Sequence, residues 1–404
     1  MKGHIVSALR WRDLPAALLH CLQRGVEGSR DDFRRAFARS LGVDADQVQL
    51  FGSGRAALHA FTASLKLPAG AEVLLPGYTC VVVPNVFMHL GLSVRYVDIE
   101  PGGFNPSAEA WSAAIAPATR LVVVPHNFGL VTEGLAALRR RHPGVVFVED
   151  CAHAWGSADA TGRLAGTLGD AAFFSFEYSK PLSCGIGGAL VGPLAQVPEL
   201  HTASNAAMLR QGLTLAWHRL TMSLPHAALQ ALVAVLRAPS RALGLVAKTP
   251  DSEVAGDSWP DYALALHPLG AALGWRQARR AVSLHALRVA QAAELDALLA
   301  DAPTWRRPGR AAGTVLLRYP VLLPDAASRD TALRALEAAG IVGGTWFDDV
   351  VHPRGSFRFG YNAGDCPIGE LAARTVLNLP LGLHARLDAA QREAVRRIAG
   401  GDGR

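Results

Sequence analysis

Residues 145–150 read Val-Val-Phe-Val-Glu-Asp, and residues 171–176 read Ala-Ala-Phe-Phe-Ser-Phe. Both contain a short apolar run, which is typical of strands buried on both faces of a sheet. Five similar runs complete a set of seven predicted strands, over residues 48–51, 72–75, 93–97, 121–125, 145–148, 172–176 and 189–191. Helical patterns, such as those over residues 55–65 and 131–141, lie between several of them. The alternation predicts an α/β fold in which a mainly parallel seven-stranded sheet lies between helices.

Polar residues follow both of these runs. Glu149 and Asp150 end the first, and Lys180 comes shortly after the second. In such sheets, ligands bind beyond the carboxyl ends of the strands, where Asp150 would emerge. A lysine and a carboxylate at neighbouring strand ends suit pyridoxal phosphate, because the amine forms a Schiff base and the carboxylate keeps the pyridine nitrogen protonated. The sequence therefore predicts pyridoxal 5′-phosphate as the cofactor.

Both residues also have a simpler interpretation. A lysine after a strand is normally a solvated surface residue, and Asp150 could merely cap the end of its strand. The chain has only four lysines, however, which are Lys2, Lys66, Lys180 and Lys248. Lys180 is the one that a glycine cluster follows, at residues 185, 187 and 188.

Composition limits the class of protein. Of 404 residues, 50% are apolar and 18% are charged, which predicts a well-filled globular protein. The net charge of +6 is modest, and scattered basic residues give no support to nucleic-acid binding. The start of the chain does not resemble a signal peptide, and no run is long and apolar enough to span a membrane. The five cysteines show no paired spacing, so we expect reduced thiols, a cytoplasmic protein and no metal site.

The patterns divide the chain into three parts. Residues 1–47 are predicted to form an N-terminal helical arm, residues 48–265 the large cofactor-binding domain, and residues 266–404 a smaller α+β domain. In this last part we expect a helical stretch over 267–299, a strand over 314–322, helices over 329–339 and 389–398, and an irregular loop over 343–366.

Within the large domain, an apolar and basic insert at about residues 205–250 interrupts the alternation of predicted strands and helices. It holds five basic residues and no acid. One interpretation is one or two helices packed on the body of the protein or at a dimer interface. The other is peripheral contact with the inner face of a membrane, since basic apolar helices bind there.

Residues 51–58 read Phe-Gly-Ser-Gly-Arg-Ala-Ala-Leu and join a strand to a helix through small residues. Backbone amides at a helix N-terminus bind phosphate, and glycine allows close approach, although a tight turn needs glycine anyway. Further motifs follow in order: His126-Asn127-Phe128-Gly129, Glu149-Asp150-Cys151-Ala152-His153-Ala154, Gly166-Thr167-Leu168-Gly169-Asp170, Phe174-Ser175-Phe176, Lys180, Gly185-Ile186-Gly187-Gly188, Cys366-Pro367-Ile368 and Leu377-Asn378-Leu379-Pro380. Together they resemble the DegT/DnrJ/EryC1/StrS family of pyridoxal-phosphate-dependent sugar aminotransferases, over most of the chain. The resemblance implies the fold-type-I architecture.

The resemblance also implies the role of each site residue. Lys180 would be the Schiff-base lysine and the proton shuttle, and Asp150 would pair with the pyridinium nitrogen. His153 takes the place of a residue that contacts the ring hydroxyl, or it is a core histidine. Ser175 would bind the phosphate, together with the backbone amides of Gly54, Arg55 and Ala56. His126 is interpreted as structural more readily than as catalytic.

The chain departs from the family pattern in four places. Arg55 replaces a threonine of the phosphate turn and could add a charged contact. Cys80 stands where the ring-stacking aromatic is usual, so Tyr78 is the candidate for that role. Ile186 replaces a glutamate. An Asn-x-Arg element that precedes residues 271–274 in relatives is absent, so the phosphate contact that relatives receive from the partner subunit is in doubt.

The function that the resemblance implies is transamination. The donor would be an amino acid, most often glutamate, and the acceptor a keto-sugar nucleotide or another, non-nucleotide, keto compound. Loop residues are candidates for lining the acceptor pocket, or are simply solvated: Trp346, Phe347, Asp348, His352, Arg354 and Arg358. A homodimer is expected.

Three other functions compete with transamination. A related dehydratase would carry histidine in place of Lys180. A cysteine desulfurase would need Cys366 as a mobile nucleophile. A non-catalytic or membrane-associated member of the family would have kept the fold alone.

Overall fold

The computed structural model describes residues 8–193, 199–202, 204–221, 249–257 and 261–400. Its strands are β1 Val48–Phe51, β2 Glu72–Pro76, β3 Thr79–Cys80, β4 Ser93–Val97, β5 Thr119–Pro125, β6 Val146–Asp150, β7 Ala171–Ser175, β8 Gly188–Val191, β9 His201–Thr202, β10 Leu264–Ala265, β11 Tyr319–Leu322, β12 Val351–His352 and β13 Val376–Leu379. Its helices are α1 Asp13–Leu41, α2 Gly54–Ser64, α3 Val82–His89, α4 Ala108–Ala114, α5 Leu135–Arg141, α6 Asn205–Thr221, α7 Asp251–Ala255, α8 Pro268–Ala278, α9 Ala281–Leu298, α10 Ala326–Ala338, α11 Pro367–Thr375 and α12 Ala389–Gly400.

The main sheet confirms the predicted α/β class. Its strand order in the described residues is β4-β2-β5-β6-β7-β8-β1-β10-β9. Strands β4, β2, β5, β6 and β7 are parallel, whereas β8 is antiparallel to both β7 and β1. The central strands are apolar and buried because helices cover both faces. All seven predicted strands are present, and the sheet adds β9 and β10, which are too short to show a sequence period.

The predicted N-terminal arm is helix α1, which bends at Gly25. Asp13 at its start pairs with Arg276 and Arg280 of the α8 region at 3.1 and 2.8 Å, and His20 stacks on Trp275 with ring centroids 4.2 Å apart. The arm is therefore fixed against α8.

Two C-terminal elements differ in extent from the prediction, and α11, β12 and β13 were not predicted. The helical stretch expected over 267–299 is two helices, since Arg280 between them leaves the helical conformation. The strand expected over 314–322 is only β11, because the preceding backbone bonds elsewhere: Leu317 donates to the carbonyl of Phe128 and Val315 to the hydroxyl of Ser157. The domain boundary near residue 265 stays a prediction.

A short parallel pair joins the C-terminal loop to the edge of the site. Strand β12 pairs with β3, with Val351 opposite Thr79 and His352 opposite Cys80. This pairing brings the loop over 343–366 beside the residues that follow β2. Strands β11 and β13 form a separate antiparallel pair behind it.

The insert at 205–250 is described only in part. Its first residues form helix α6, while residues 222–248, which include Lys248, lie outside the described residues. In the parts of the chain that the structure covers, no helix combines the length and the apolar character needed to cross a bilayer. The five cysteines all lie in described ranges, and none of them is joined to another in a disulfide.

Candidate active site

Lys180 lies beyond the end of β7 with its side chain directed into the protein. Only 8% of the residue is exposed, although lysine is usually a surface residue. Its Nζ lies 3.2 Å from His153 Nε2 and 4.5 Å from the ring centroid of Trp346. Burial lowers the pKa of Lys180, which increases the neutral fraction of the amine.

The hydrogen bonds of His153 fix the direction of its contact with Lys180. The amide of Phe128 donates to His153 Nδ1 at 3.2 Å, so this nitrogen is the acceptor of a neutral ring. In that neutral ring the proton is on His153 Nε2, the atom that lies 3.2 Å from Lys180 Nζ. Burial, followed by the charge of Lys180, places the pKa of His153 well below its ordinary value. Burial therefore disfavours the charged form of both members of this pair.

Asp150 is the last residue of β6 and lies between its neighbours Pro125 and Phe173 on the adjoining strands. One oxygen of its carboxylate accepts from the Ala152 amide at 3.0 Å. Burial raises the pKa of Asp150, and the Ala152 amide and the charge of Lys180 act in the opposite direction. A cationic ring nitrogen beside this carboxylate would lower its pKa and keep it ionised.

The turn into α2 is as tight as the sequence suggested. Ser53 caps the helix and accepts from the Ala56 amide at 3.2 Å, which leaves the amides of Gly54 and Arg55 as the donors of the first turn. A side-chain carbon at Gly54 would lie 3.1 Å from Ser175 Cβ, so the turn and the predicted phosphate ligand Ser175 are in contact. Of the three predicted amides, Ala56 is the one already engaged.

Arg55 reaches from this turn to the segment that follows the insert. Its Nη2 donates to Glu253 Oε1 at 2.7 Å, and its Nε is buried without a hydrogen-bond partner. Glu253 is almost fully buried, and burial raises its pKa although Arg55 opposes the shift. Helix α7 is thereby tied to the phosphate turn of the same chain.

Tyr78 and Cys80 occupy different places near the site. Tyr78 is fully buried, and its hydroxyl both donates to the carbonyl of Phe347 and accepts from its amide, each at 2.9 Å. Cys80 is close enough to Lys180 for the lysine charge to act on its thiol, although burial dominates and raises the pKa of that thiol. Ring stacking by Tyr78 stays a prediction.

His126 and Glu149 form a buried pair behind the strand ends. His126 Nε2 donates to Glu149 at 2.8 Å, and its Nδ1 accepts from the Thr132 amide at 3.1 Å. The Glu149 carboxylate also accepts from the amides of Gly166, Leu168 and Gly169. These contacts hold the loop after β6 and agree with the structural interpretation of His126.

Part of the loop over 343–366 reaches the site. Trp346 and Phe347 lie 4.8 and 5.7 Å from the ring of His153, measured between centroids. The other loop residues bond mainly within the loop: His352 and Arg354 to Asp348, and Arg358 to Asp349. The basic side chains that were expected to face an acceptor are engaged with neighbouring acids and carbonyls.

One residue of this pocket was not predicted. Arg318 lies directly before β11, and its guanidinium carbon is 3.9 Å from the ring centroid of Trp346. Only 4% of the residue is exposed. A lone charge inside the apolar run at 314–322 was the signal that could have identified it, because such a charge is costly to bury without a purpose.

These residues fit the predicted cofactor. A buried amine, a carboxylate at the neighbouring strand end and free amides at a helix N-terminus match the aldehyde, the ring nitrogen and the phosphate of pyridoxal phosphate. Cys366, the candidate for a mobile nucleophile, is fully buried and packs against Gly77, which does not suit that role.

Comparison with known proteins gives a consistent result. The profile of the DegT/DnrJ/EryC1/StrS aminotransferase family matches residues 22–398. An L-glutamine:2-deoxy-scyllo-inosose aminotransferase from Streptoalloteichus tenebrarius is 37% identical over 176 residues, which are 43% of this chain and 41% of that protein. A dTDP-4-dehydro-2,3,6-trideoxy-D-glucose 4-aminotransferase from Saccharopolyspora spinosa is 37% identical over 157 residues, 39% of this chain and 40% of that protein. The chain therefore spans about two fifths of the length of these curated relatives.

The fold has counterparts among solved structures. The E. coli GDP-4-keto-6-deoxy-D-mannose-3-dehydratase with bound hydrated PLP superposes with a TM-score of 0.70 at 17% identity, covering 98% of this chain and 99% of the other. This likeness supports the fold-type-I architecture.

Proposed function

The chain belongs to the DegT/DnrJ/EryC1/StrS aminotransferase family, and we propose that it is a pyridoxal-phosphate-dependent aminotransferase. It would move an amino group from an amino acid, glutamate or glutamine, to the ketone of a sugar or a sugar-like ring. The observation that carries the proposal is the buried amine of Lys180, which lies 3.2 Å from His153 Nε2 and close enough to Asp150 for its charge to act on that carboxylate.

The residues present account for each task of such an enzyme. Pyridoxal phosphate, when bound, supplies an aldehyde that exchanges amines and a ring that accepts electrons. Lys180 would hold the cofactor and then move a proton at the substrate carbon, for which a neutral amine is required. Asp150 would keep the ring nitrogen protonated. His153 would direct its Nε2–H at the ring hydroxyl, next to the lysine.

The phosphate would be held without help from a second chain. The free amides of Gly54 and Arg55 and the hydroxyl of Ser175 meet at one turn. Arg55 adds a positive charge that Glu253 holds in place at 2.7 Å. This intrachain arrangement offers a replacement for the partner-subunit contact that the sequence lacks.

The acceptor has two candidate classes. The relative from Saccharopolyspora is named for a dTDP-linked keto sugar, whereas that from Streptoalloteichus is named for an inosose, a ring ketone without a nucleotide. Arg354 and Arg358, which would suit a diphosphate, already contact Asp348 and Asp349. The first candidate acceptor is the keto-sugar nucleotide that the family resemblance implies. The contacts of the two arginines support a second candidate, a ring ketone without a nucleotide.

Competing functions predict different behaviour. A dehydratase of this family would carry histidine at position 180, so Lys180 favours transamination. A non-catalytic member would have no reason to retain a buried lysine, whose burial is unfavourable unless it is used.

A spectral titration tests the proposal. Protein loaded with pyridoxal phosphate should lose its cofactor absorbance band on addition of L-glutamate or L-glutamine and regain it with one compound of a panel of keto-sugar nucleotides and inososes. No change with any amino acid would contradict the proposal. Regain with an inosose but with no nucleotide would select the second acceptor class.

Assembly is a separate part of the proposal. We propose a homodimer, as the family resemblance implies, and sedimentation would show its mass. The segment over 205–250 would contribute either to that interface or to a membrane surface. Flotation of the full chain with anionic liposomes distinguishes the two, since a dimer contact predicts no flotation.

A further inference from the structure

Arg318 is a buried cation without an anion. Its residue is 4% exposed, its Nε has no hydrogen-bond partner, and no carboxylate among the described residues forms an ion pair with it. Burial lowers the pKa of Arg318 to about 9, and the more distant charge of Glu177 opposes this shift only in part. Such a group is unfavourable to bury unless a ligand completes it.

The backbone around Arg318 is held from two sides. Arg288, itself buried, donates to the carbonyls of Leu316 and Leu317 at 3.0 and 2.8 Å. The amide of Leu317 donates to the carbonyl of Phe128 at 2.8 Å, and the amide of Phe128 in turn bonds to His153. The position of Arg318 is therefore linked to the position of the lysine's neighbour, so its guanidinium is placed before any ligand arrives.

A second unpartnered donor lies at the same place. Asn378 accepts from the Trp346 amide through Oδ1 at 3.0 Å, which turns its Nδ2 the other way, and that nitrogen is buried without a partner. Both side chains approach Gly344: a side-chain carbon there would be 3.5 Å from Arg318 Nη1 and 3.5 Å from Asn378 Oδ1. Two buried side chains, each with an unpartnered N–H group, thus meet near one glycine.

Arg318 is close to the reacting amine. The guanidinium carbon of Arg318 is 3.9 Å and Lys180 Nζ is 4.5 Å from the same Trp346 centroid, so the two cations are separated by no more than the sum of these distances. The positive charge of Arg318 acts on both Lys180 and His153. In an α-amino acid, one carbon separates the amine from the carboxylate, which matches an anion site next to the amine site.

We propose that Arg318 and Asn378 form the binding site for the α-carboxylate of the amino donor. The guanidinium fork donates two parallel hydrogen bonds to a carboxylate, and Asn378 Nδ2 donates a third. This inference rests on the proposed function and adds to it the residues that select an amino acid over a simple amine. The phosphate of a nucleotide-linked acceptor is the other anion that the site could hold.

Two matched ligands distinguish a carboxylate site from a structural role. L-Glutamine and 4-aminobutanamide share the amine and the side-chain amide, but only the former has the α-carboxylate. Their apparent dissociation constants are measured by the change in cofactor absorbance with the wild type, R318Q, R318K and N378D. We expect R318Q to weaken L-glutamine roughly 10- to 100-fold and to leave 4-aminobutanamide unchanged. R318K keeps the charge but loses the fork, and N378D keeps only the hydrogen-bond acceptor of the side chain. Their dissociation constants for L-glutamine should lie between those of the wild type and R318Q.

The other outcomes overturn the inference. Equal weakening of both ligands in R318Q would assign Arg318 a structural role. Unchanged binding of both would show that it contacts neither. If R318Q instead weakened only a dTDP-linked keto sugar, added to the pyridoxamine form of the protein, the site would belong to the acceptor's phosphate.

A calorimetric titration with glutarate separates this inference from the proposed function. If the wild type changes its spectrum with no amino acid, the proposed function fails. Glutarate binding that is present in the wild type and lost in R318Q would still support a carboxylate site. Absence of glutarate binding in the wild type would then overturn it.

Discussion

The pocket has two walls, and they differ in whether their polar groups have partners within the protein. The sheet wall consists of Asp150, His153 and Lys180, which follow strands β6 and β7. The C-terminal wall consists of Arg318 and Trp346, which come from the start of β11 and from the loop before β12. Every residue of the sheet wall has a buried polar partner or a charge of opposite sign, whereas Arg318 has an unused donor. On this difference we base the proposal that the sheet wall carries the chemistry and the C-terminal wall recognises the ligand.

The largest expected effect is at Lys180. Lys180→Arg should reduce amino transfer by about 10³-fold or more, because arginine can neither hold the cofactor nor act as a neutral base. Transfer from L-glutamine to the active keto acceptor is the measurement, with Lys66→Arg as the matched control. Borohydride reduction followed by peptide mass spectrometry should place the cofactor on residue 180. Activity above a tenth of the wild type would mean that the sheet wall does not carry the chemistry.

A substitution of Asp150 tests whether the sheet wall also keeps the nitrogen of the cofactor ring protonated. Asp150→Asn keeps the shape and the hydrogen bond from the Ala152 amide but loses the negative charge. We expect kcat to fall about 10²-fold, since one preorganised electrostatic contact has been removed, with a much smaller change in KM for the donor. Asp170→Asn, at the amino end of β7 and therefore at the opposite edge of the sheet, serves as the control for the loss of a carboxylate away from the site. An effect on KM alone would move Asp150 into ligand recognition.

A substitution of Trp346 tests the opposite wall. Trp346→Phe weakens the ring face on which Arg318 lies at 3.9 Å, and cation–π contacts of this kind contribute about 0.5 to 2 kcal/mol. The dissociation constant of L-glutamine should therefore rise about 3- to 10-fold, while kcat changes less. The control is Trp305→Phe, which also replaces an indole by a phenyl ring but does so in the hydrophobic core. A larger loss in kcat than in affinity would contradict the division between the walls.

The smallest effect concerns His153, where charges from both walls meet. Burial and the charges of Lys180 and Arg318 place its folded-state pKa well below 6.5, so the unfolded chain binds a proton that the folded chain does not. The free energy of unfolding of the cofactor-free protein should then fall as the pH decreases below about 6.5, by at most about 1.4 kcal/mol per pH unit from this group.

Urea denaturation between pH 7 and pH 5 measures this slope. His153→Gln should reduce it, and His142→Gln, between helices α4 and α5, is the control. An unchanged slope in His153→Gln would mean that the cations of the two walls do not act together on this ring.

The sequence revealed the sheet wall because its residues follow strands that are visible as apolar runs. Asp150 and Lys180 follow neighbouring predicted strands, which placed them at one sheet edge, whereas His153 was assigned to the site by the family resemblance. The C-terminal wall was harder to predict. Arg318 meets Trp346 because β11 pairs with β13 and Gly344 bridges to Asn378, and an isolated bridge leaves no sequence period. The partner of Arg55 was hidden for the same reason, since Glu253 lies 198 residues away and meets it only in the folded chain.

The antiparallel pairing of β8 with β1 has a consequence for how the protein is made. Phe51 is opposite Gly188, and a side chain at Gly188 would collide with the backbone of Ser53 and Gly54. The packing around the turn at residues 52–55 is therefore incomplete until residues 188–191 have been synthesised and have paired with β1. Contacts this distant in sequence form slowly, so the nascent N-terminal segment is exposed to chaperones and proteases while it waits. Vitamin B6 can stabilise this protein in the cell only after that strand has been inserted.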